Sequence, residues 1–231
     1  MTRAELAADR ARALALTPVS RETLARLDVF VDLLLDWQRT TQLIASSTVP
    51  QLWTRHISDS LQLLDLAPAA ARIWVDLGSG GGFPGLVLAC ALAEKAGSCV
   101  HLVDSNAKKA AFLRQVATAA KIPAVIHGMR IEEFAQKFAG RAEVITARAL
   151  APLKRLLDQC FPLWTDETLG LFPKGQDVEA ELTEAPKYWN LEATLVPSRT
   201  DPRARIVVVR VLQPRAPAQD GRTDSPASPG K

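Results

Sequence analysis

Between Val75 and Gly85 the chain reads Val75-Asp76-Leu77-Gly78-Ser79-Gly80-Gly81-Gly82-Phe83-Pro84-Gly85, with five glycines in the eight positions from Gly78. Glycine loses more conformational freedom on folding than any other residue, so a mere connection rarely carries so many. Such a run suits a backbone that turns tightly and lets a ligand approach without meeting a Cβ. An apolar run, Ile73 to Leu77, precedes the loop, and an apolar helical stretch, Leu86 to Leu92, follows it. That strand-loop-helix setting predicts a ligand-binding turn within an α/β fold.

Spacing narrows the ligand. A dinucleotide fingerprint starting at Gly78 requires its third glycine at the position of Phe83, and no Gly-Lys-Ser/Thr follows to make a P-loop. Instead Asp76 stands two residues before the first glycine, and a second acid, Asp104, ends the next strand-like run, Cys99 to Val103. An acid at that strand end reaches ribose hydroxyls, and glycines paired with a carboxylate suit a ligand bearing an amine. Asp104 also precedes the helical stretch Lys108 to Val116, so a helix cap is its alternative role. Asp-x-Gly-x-Gly-x-Gly after strand one, with an acid after strand two, resembles the Rossmann-like S-adenosylmethionine-dependent methyltransferases. The resemblance implies that the glycine loop wraps the methionine portion and that Asp104 holds the ribose.

The rest of the chain agrees with an α/β reading. Short β-rich runs at 73–77, 99–103, 124–126, 144–146, 169–172 and 206–211 alternate with helical stretches, as in a parallel sheet covered on both faces. Only turn-type residues separate Leu191–Val196 from Ile206–Val211, so a hairpin is expected to close a sheet of about seven strands. Upstream, Leu24, Leu27, Val31, Leu34 and Leu35 recur at helical spacing behind Ser20 as N-cap, and Trp53, Ile57, Ser60, Leu61 and Leu64 share one face of a second helix. Residues 1–70 are therefore read as a helical cap and 71–212 as the Rossmann-like domain. The Pro-rich stretch 213–231 has almost no large apolar side chain and is read as a disordered tail.

Composition excludes several classes. The three cysteines lack paired spacing, which argues against a disulfide framework or a zinc site and for a reducing cytoplasm. No apolar run is long enough to span a membrane and no signal core opens the chain. A net charge of +3 across 231 residues is too mild to identify a nucleic-acid binder, so any anionic partner must meet a local patch.

After strand three, His127 to Phe134 offers Ile131 as an apolar wall and Glu132 as a polar group for adenine; the acids there, Glu133 above all, also favour a helix N-terminus. At the end of strand four, Val144 to Pro152 lacks the Asp/Asn-Pro-Pro-Tyr of enzymes that methylate exocyclic amines. Cys160 lies along a helix beside Phe161, where packing suits it better than attack on a pyrimidine. An acceptor that needs neither base nor covalent help remains, and guanine N7 carries a free lone pair and no proton. Arg148, Lys154, Arg155 and Lys174 are expected to form one cationic rim for RNA, with Arg148 and Lys174 as candidates for positioning the acceptor.

Trp53-Thr54-Arg55-His56-Ile57-Ser58-Asp59-Ser60, the Phe83-Pro84-Gly85 ending, Leu102-Val103-Asp104-Ser105, Arg130-Ile131-Glu132-Glu133-Phe134, Ala147-Arg148-Ala149 and Lys174-Gly175 together resemble the bacterial small-subunit ribosomal RNA methyltransferase G family, also called glucose-inhibited division protein B. The resemblance runs from about Leu24 to Val211. It implies N7 methylation of a guanosine in the 530 loop of 16S rRNA, free or in an assembling small subunit, with cofactor contacts at Gly78, Phe83, Ile131, Glu132 and Arg148. Gln38 and Gln42 stand where the family usually carries Asn. His56 and Asp59, three apart on one helix face, are expected to make a capping or interdomain hydrogen bond. Methylation of a protein or small molecule, or RNA binding without catalysis, are the competing functions.

Overall fold

The computed structural model describes residues 2–176 and 178–215. A seven-stranded sheet carries the chain: β1 (Ile73–Leu77), β2 (Cys99–Val103), β3 (Ala124–His127), β4 (Val144–Thr146), β5 (Leu169–Lys174), β6 (Trp189–Pro197) and β7 (Arg205–Pro214). Its order is β3-β2-β1-β4-β5-β7-β6. The first five strands are parallel, and β7 runs antiparallel between β5 and β6. The expected hairpin is present, with its second strand inserted into the sheet and its first left at the edge.

Alternating side chains divide the apolar residues between two cores. Trp74, Val100, Leu102, Val144, Leu171 and Val208 face one way, against α4 (Gly85–Leu92) and α5 (Ala107–Ala119). Val75, Val103, Ile145, Phe172 and Val207 face the other, against α6 (Ile131–Lys137), α7 (Leu153–Cys160) and α8 (Val178–Glu184). Strands buried on both faces are why these runs read as continuous Val, Ile and Leu rather than alternating with polar residues.

Helices α1 (Arg3–Leu16) and α2 (Arg21–Trp37) begin the cap. Thr2 and Glu5 form a reciprocal capping box on α1, and the Ser20 hydroxyl accepts from the Thr23 amide as the expected cap of α2. Leu27, Phe30 and Leu34 of α2 are wholly buried in the same core as α4. The second expected helix is irregular: 3-10 turns at Ser46–Gln51 and Gln62–Asp65 flank a π-turn at Trp53–Ser58 and a short α3 (Asp59–Leu61). Its first turn is capped from α1. The buried Asp9 carboxylate accepts from the Trp53 amide (2.8 Å), the Thr54 amide (3.2 Å) and the Thr54 hydroxyl, so a side chain meets this turn's amides. Trp53, Ile57, Ser60 and Leu61 nevertheless share the buried face.

One boundary moves. Gln213 and Pro214, assigned from sequence to the tail, pair with Asn190 and Trp189 as the last residues of β7. The nearly buried Trp189 starts β6 two residues before the Leu191–Val196 run and gives β7 a partner there. Arg215 follows β7, its amide donating to the Tyr188 carbonyl (3.2 Å), and residues 216–231 of the expected tail lie outside the described residues.

Candidate active site

The glycine loop sits at the carboxyl end of β1 and is braced from two sides. From below, the Asp76 carboxylate accepts from the Gly85 amide (3.2 Å) and the Thr146 hydroxyl (2.8 Å), tying the loop's far end to β4. From the cap, the carbonyl of Leu43 reaches Gly81 so closely that a Cβ there would lie 2.9 Å from it. Gln38 holds that cap segment: its amide oxygen accepts from the Leu43 and Ile44 amides and its nitrogen donates to the Ile44 carbonyl. The glutamine departure at position 38 thus has a structural role.

A polar cavity of about 320 Å³ opens above the loop, where Gly78, Gly80, Asp104, Ile131 and Glu132 meet. The Asp104 carboxylate accepts from the Gly80 amide (2.8 Å) and the Asn106 amide (2.8 Å), while Asn106, not Asp104, caps α5. Next to it a mostly apolar cavity of about 540 Å³ lies between α6 and α7. The two share Ile131, Glu132, Arg155 and Gln159. Gln159 donates to Glu132 (3.3 Å), and its amide oxygen is buried without a partner. A polar compartment joined to an apolar one, with a buried acceptor at the junction, fits a ligand with a polar tail and a flat base that carries a donor.

On the other side of the β4 loop is a cleft of about 580 Å³ between cap and sheet. Arg148 spans it. Its guanidinium donates to the Arg55 carbonyl (3.1 Å) and to His56 Nδ1 (2.7 Å), lies 3.6 Å from the Asp59 carboxylate and stacks over the Phe83 ring. Because arginine can only donate, His56 Nδ1 must accept, which leaves the proton on Nε2 to donate to Thr48 Oγ1 (2.9 Å). Burial, then the charges of Arg148 and Arg55, push the His56 pKa down to about 3, so the ring stays neutral. Cavity and cleft share two residues, Ala149 and Leu150. Ala149 holds a left-handed φ of 52°, and the Leu150 side chain covers Gly78. Such strain in a non-glycine residue recurs at functional sites.

Five of the eight sequence-predicted cofactor residues therefore line the cavity, and Asp76, Phe83 and Arg148 do not. Asp76 is buried beneath the loop, Phe83 packs between Phe30 and His56, and Arg148 faces the cleft. The expected single cationic rim is split. Lys174 lines the cleft but donates to the Ala151 carbonyl (2.7 Å) and pairs with Glu181 (2.8 Å). Arg155 belongs to the two cavities, and Lys154 pairs with Asp158 over the Tyr188 ring. Side chains that diverge along one helical turn cannot share a rim. His56 and Asp59 do join cap to sheet, through Arg148. Cys160 is fully buried, which pushes its thiol far up in pKa and leaves it a packing residue. Sequence reasoning missed Arg55 and Arg205, which line the cleft, and Gln159; for Arg55 the signal was its place next to His56.

Comparison with known proteins gives a family-model match described as "rRNA small subunit methyltransferase G", across residues 23–205. The chain belongs to the methyltransferase G (GidB) family. Relatives bearing that family's name include a protein of Bradyrhizobium sp. (strain ORS 278), 57% identical over 93% of this chain and 96% of its own, and one of Nitrobacter hamburgensis, 60% identical over 90% and 80%. Among solved structures, a candidate O-methyltransferase from Klebsiella pneumoniae matches with a TM-score of 0.57 at 11% identity over 90% of this chain and 97% of that one. A mutant of MtNAS in complex with S-adenosylmethionine matches at 0.51 and 15% identity, over 80% and 74%. These distant likenesses bear on the fold, which is the Rossmann-like methyltransferase fold expected from the sequence.

For this methyltransferase G chain the brace under the glycine loop has a pH signature. Burial raises the Asp76 pKa to about 6, against the opposing bonds from Thr146 and Gly85. A carboxyl whose pKa is raised binds its proton more tightly folded than unfolded. The Asp76 contribution to stability is therefore expected to fall as pH rises from about 4 to about 6, by about 3 kcal/mol, while the neutral His56 contributes in the opposite sense over that window, so the signature is the difference between wild type and an Asp76 variant. Asp76→Asn retains an acceptor for Gly85 and removes the ionisation. Thermal unfolding of the two proteins should coincide near pH 4 and diverge towards pH 7, with the variant the more stable; parallel curves would contradict the assignment.

Proposed function

We propose that this protein transfers a methyl group from S-adenosylmethionine to N7 of a guanosine in the 530 loop of 16S rRNA, acting on free rRNA or on an assembling small subunit in the bacterial cytoplasm. The observation that carries this reading is the Ala149–Leu150 wall, shared by a cavity suited to a nucleoside with a polar tail and by a cationic cleft. Membership of the methyltransferase G family and the names of its close relatives support the substrate.

When bound, S-adenosylmethionine supplies a methyl group on a positively charged sulfur. Gly78 and Gly80 are assigned to its amino-acid portion, Asp104 to the ribose, and Ile131 and Glu132 to the adenine, where the unpartnered Gln159 oxygen is within the same compartment. Asp76 and Phe83 act through the loop they support. Arg148 is assigned to the acceptor side, and Lys174 holds the β4 loop through the Ala151 carbonyl. Guanine N7 has its lone pair available without deprotonation, so these residues need to exclude water and align the two partners rather than move a proton.

The test is incubation of the purified protein with methyl-labelled cofactor and separate rRNA, protein and metabolite fractions. Label is expected in 16S rRNA. Label confined to protein or metabolites would replace the proposed substrate, and cofactor binding without transfer would mark a non-catalytic RNA-binding module.

A further inference from the structure

The cleft does not end at the cap. A groove of about 510 Å³ between α1, the π-turn and the β6–β7 turn joins it through Arg55, Thr200 and Asp201, which line both. The acids along this trough are already engaged. Asp9 holds the Trp53 and Thr54 amides, and Asp59 accepts from Gln62 and Thr200 and pairs with Arg148. Asp201 accepts from the Arg203 amide and guanidinium, and Glu181 pairs with Lys174.

Three guanidiniums along the trough have no carboxylate closer than 3.9 Å among the described residues. Arg205 lines the cleft and donates only to the carbonyls of Pro202 and Ala204. Arg55 lines both compartments and, among the described residues, has no carboxylate within ion-pair distance. Arg12 lines the groove, its side chain 64% exposed and 3.9 Å from the engaged Asp9. Their membership of the two compartments orders them Arg205, Arg55, Arg12, leading away from the Ala149–Leu150 wall. Cations strung along a trough, rather than gathered at one point, match the repeating charge of a nucleic-acid backbone.

We propose that cleft and groove form one RNA track, in which Arg205, Arg55 and Arg12 hold phosphates of the strand flanking the target base. The proposal rests on the reading of the protein as an rRNA methyltransferase and assigns the backbone contacts to residues outside the expected rim. Arg12 and Arg55 come from the cap, so the cap is an RNA-binding element as well as a cover for α4.

The test is equilibrium binding of the full chain to an unmodified 16S rRNA transcript over a series of salt concentrations. Arg55→Ala should lower the slope of log affinity against log salt by about 1, and the triple variant Arg12→Ala, Arg55→Ala, Arg205→Ala by about 2 to 3. Titration with S-adenosylhomocysteine should be unchanged in both, which also shows that they are folded. Arg141→Ala, an exposed arginine just before β4 and so at the opposite end of the sheet from the site, should leave the slope as it is. A triple variant with the wild-type slope, beside a wild type that labels 16S rRNA, overturns the track alone. A wild type that puts label only into protein overturns the function, and the track with it.

Discussion

Gly80→Leu is expected to fold and to lose S-adenosylhomocysteine affinity by about 100-fold or more, equivalent to roughly 3 kcal/mol. A Cβ built on Gly80 meets nothing closer than the Gly78 carbonyl at 3.7 Å, so the protein has room for it. The cost to folding comes from the backbone, whose φ of 55° is unfavourable for an L side chain by about 1–2 kcal/mol. Since Gly80 lines the cavity beside Asp104, the added side chain occupies the space assigned to the cofactor. Gly85→Leu provides the contrast. Its Cβ would lie 2.6 Å from the Asp76 carboxylate and 2.9 Å from Leu102, inside the core, so about 1–3 kcal/mol or more of stability should be lost through overpacking. Calorimetric titration and thermal unfolding of both variants separate the outcomes. Gly80→Leu binding within threefold of wild type would remove the loop from the cofactor site.

Arg148→Ala is expected to lower rRNA methylation by about 100-fold at saturating cofactor, while S-adenosylhomocysteine affinity stays within about threefold. The guanidinium joins the cap, through Arg55 and His56, to the loop after β4, and stacks on the Phe83 ring. Without it the cleft loses its alignment with the wall it shares with the cavity, whereas the cavity's own lining is intact. Asp59 keeps Gln62, Ser198 and Thr200 on Oδ1, but its Oδ2 loses the paired guanidinium at a side chain only 14% exposed, so about 3 kcal/mol of stability should be lost. Arg148→Lys should not restore activity, because an ammonium cannot reproduce the paired contacts of a planar guanidinium. Methylation kinetics alongside calorimetry decide the matter. A fall in cofactor affinity that tracks the fall in activity would return Arg148 to the cofactor site, where the family resemblance had put it.

The strands and the loop were legible because their physics is local. Runs such as Ile73–Leu77 and Ile206–Val209 are buried on both faces and show it in composition, and Gly78, Gly80 and Gly82 are required by the left-handed backbone of the segment itself. What was not legible depends on which side chains pair, whether near or far in the chain. Asp9 caps the irregular second cap helix from 44 residues upstream. Glu181 engages Lys174, and Asp158 with Tyr188 engages Lys154, so a count of cations near one loop does not give a count of available charges. Asp76 precedes the glycines in sequence, yet strand alternation turns its side chain beneath the loop, where it supports Gly85 instead of meeting a ligand. Arg12 and Arg205 are 193 positions apart, and the fold alone sets them along one trough.

Methylation at N7 leaves the guanine ring positively charged and labile to reduction, after which aniline cleaves the strand at that nucleotide. 16S rRNA labelled by the wild-type protein, reduced and treated with aniline, is the most direct test of the proposed reaction. The expected result is a single new break in the 530 loop that coincides with the label and is absent when the protein is omitted. Label in the rRNA with no break, recovered as an exocyclic amine or a pyrimidine carbon product, would contradict transfer to N7 and the unassisted chemistry inferred from the loop after β4.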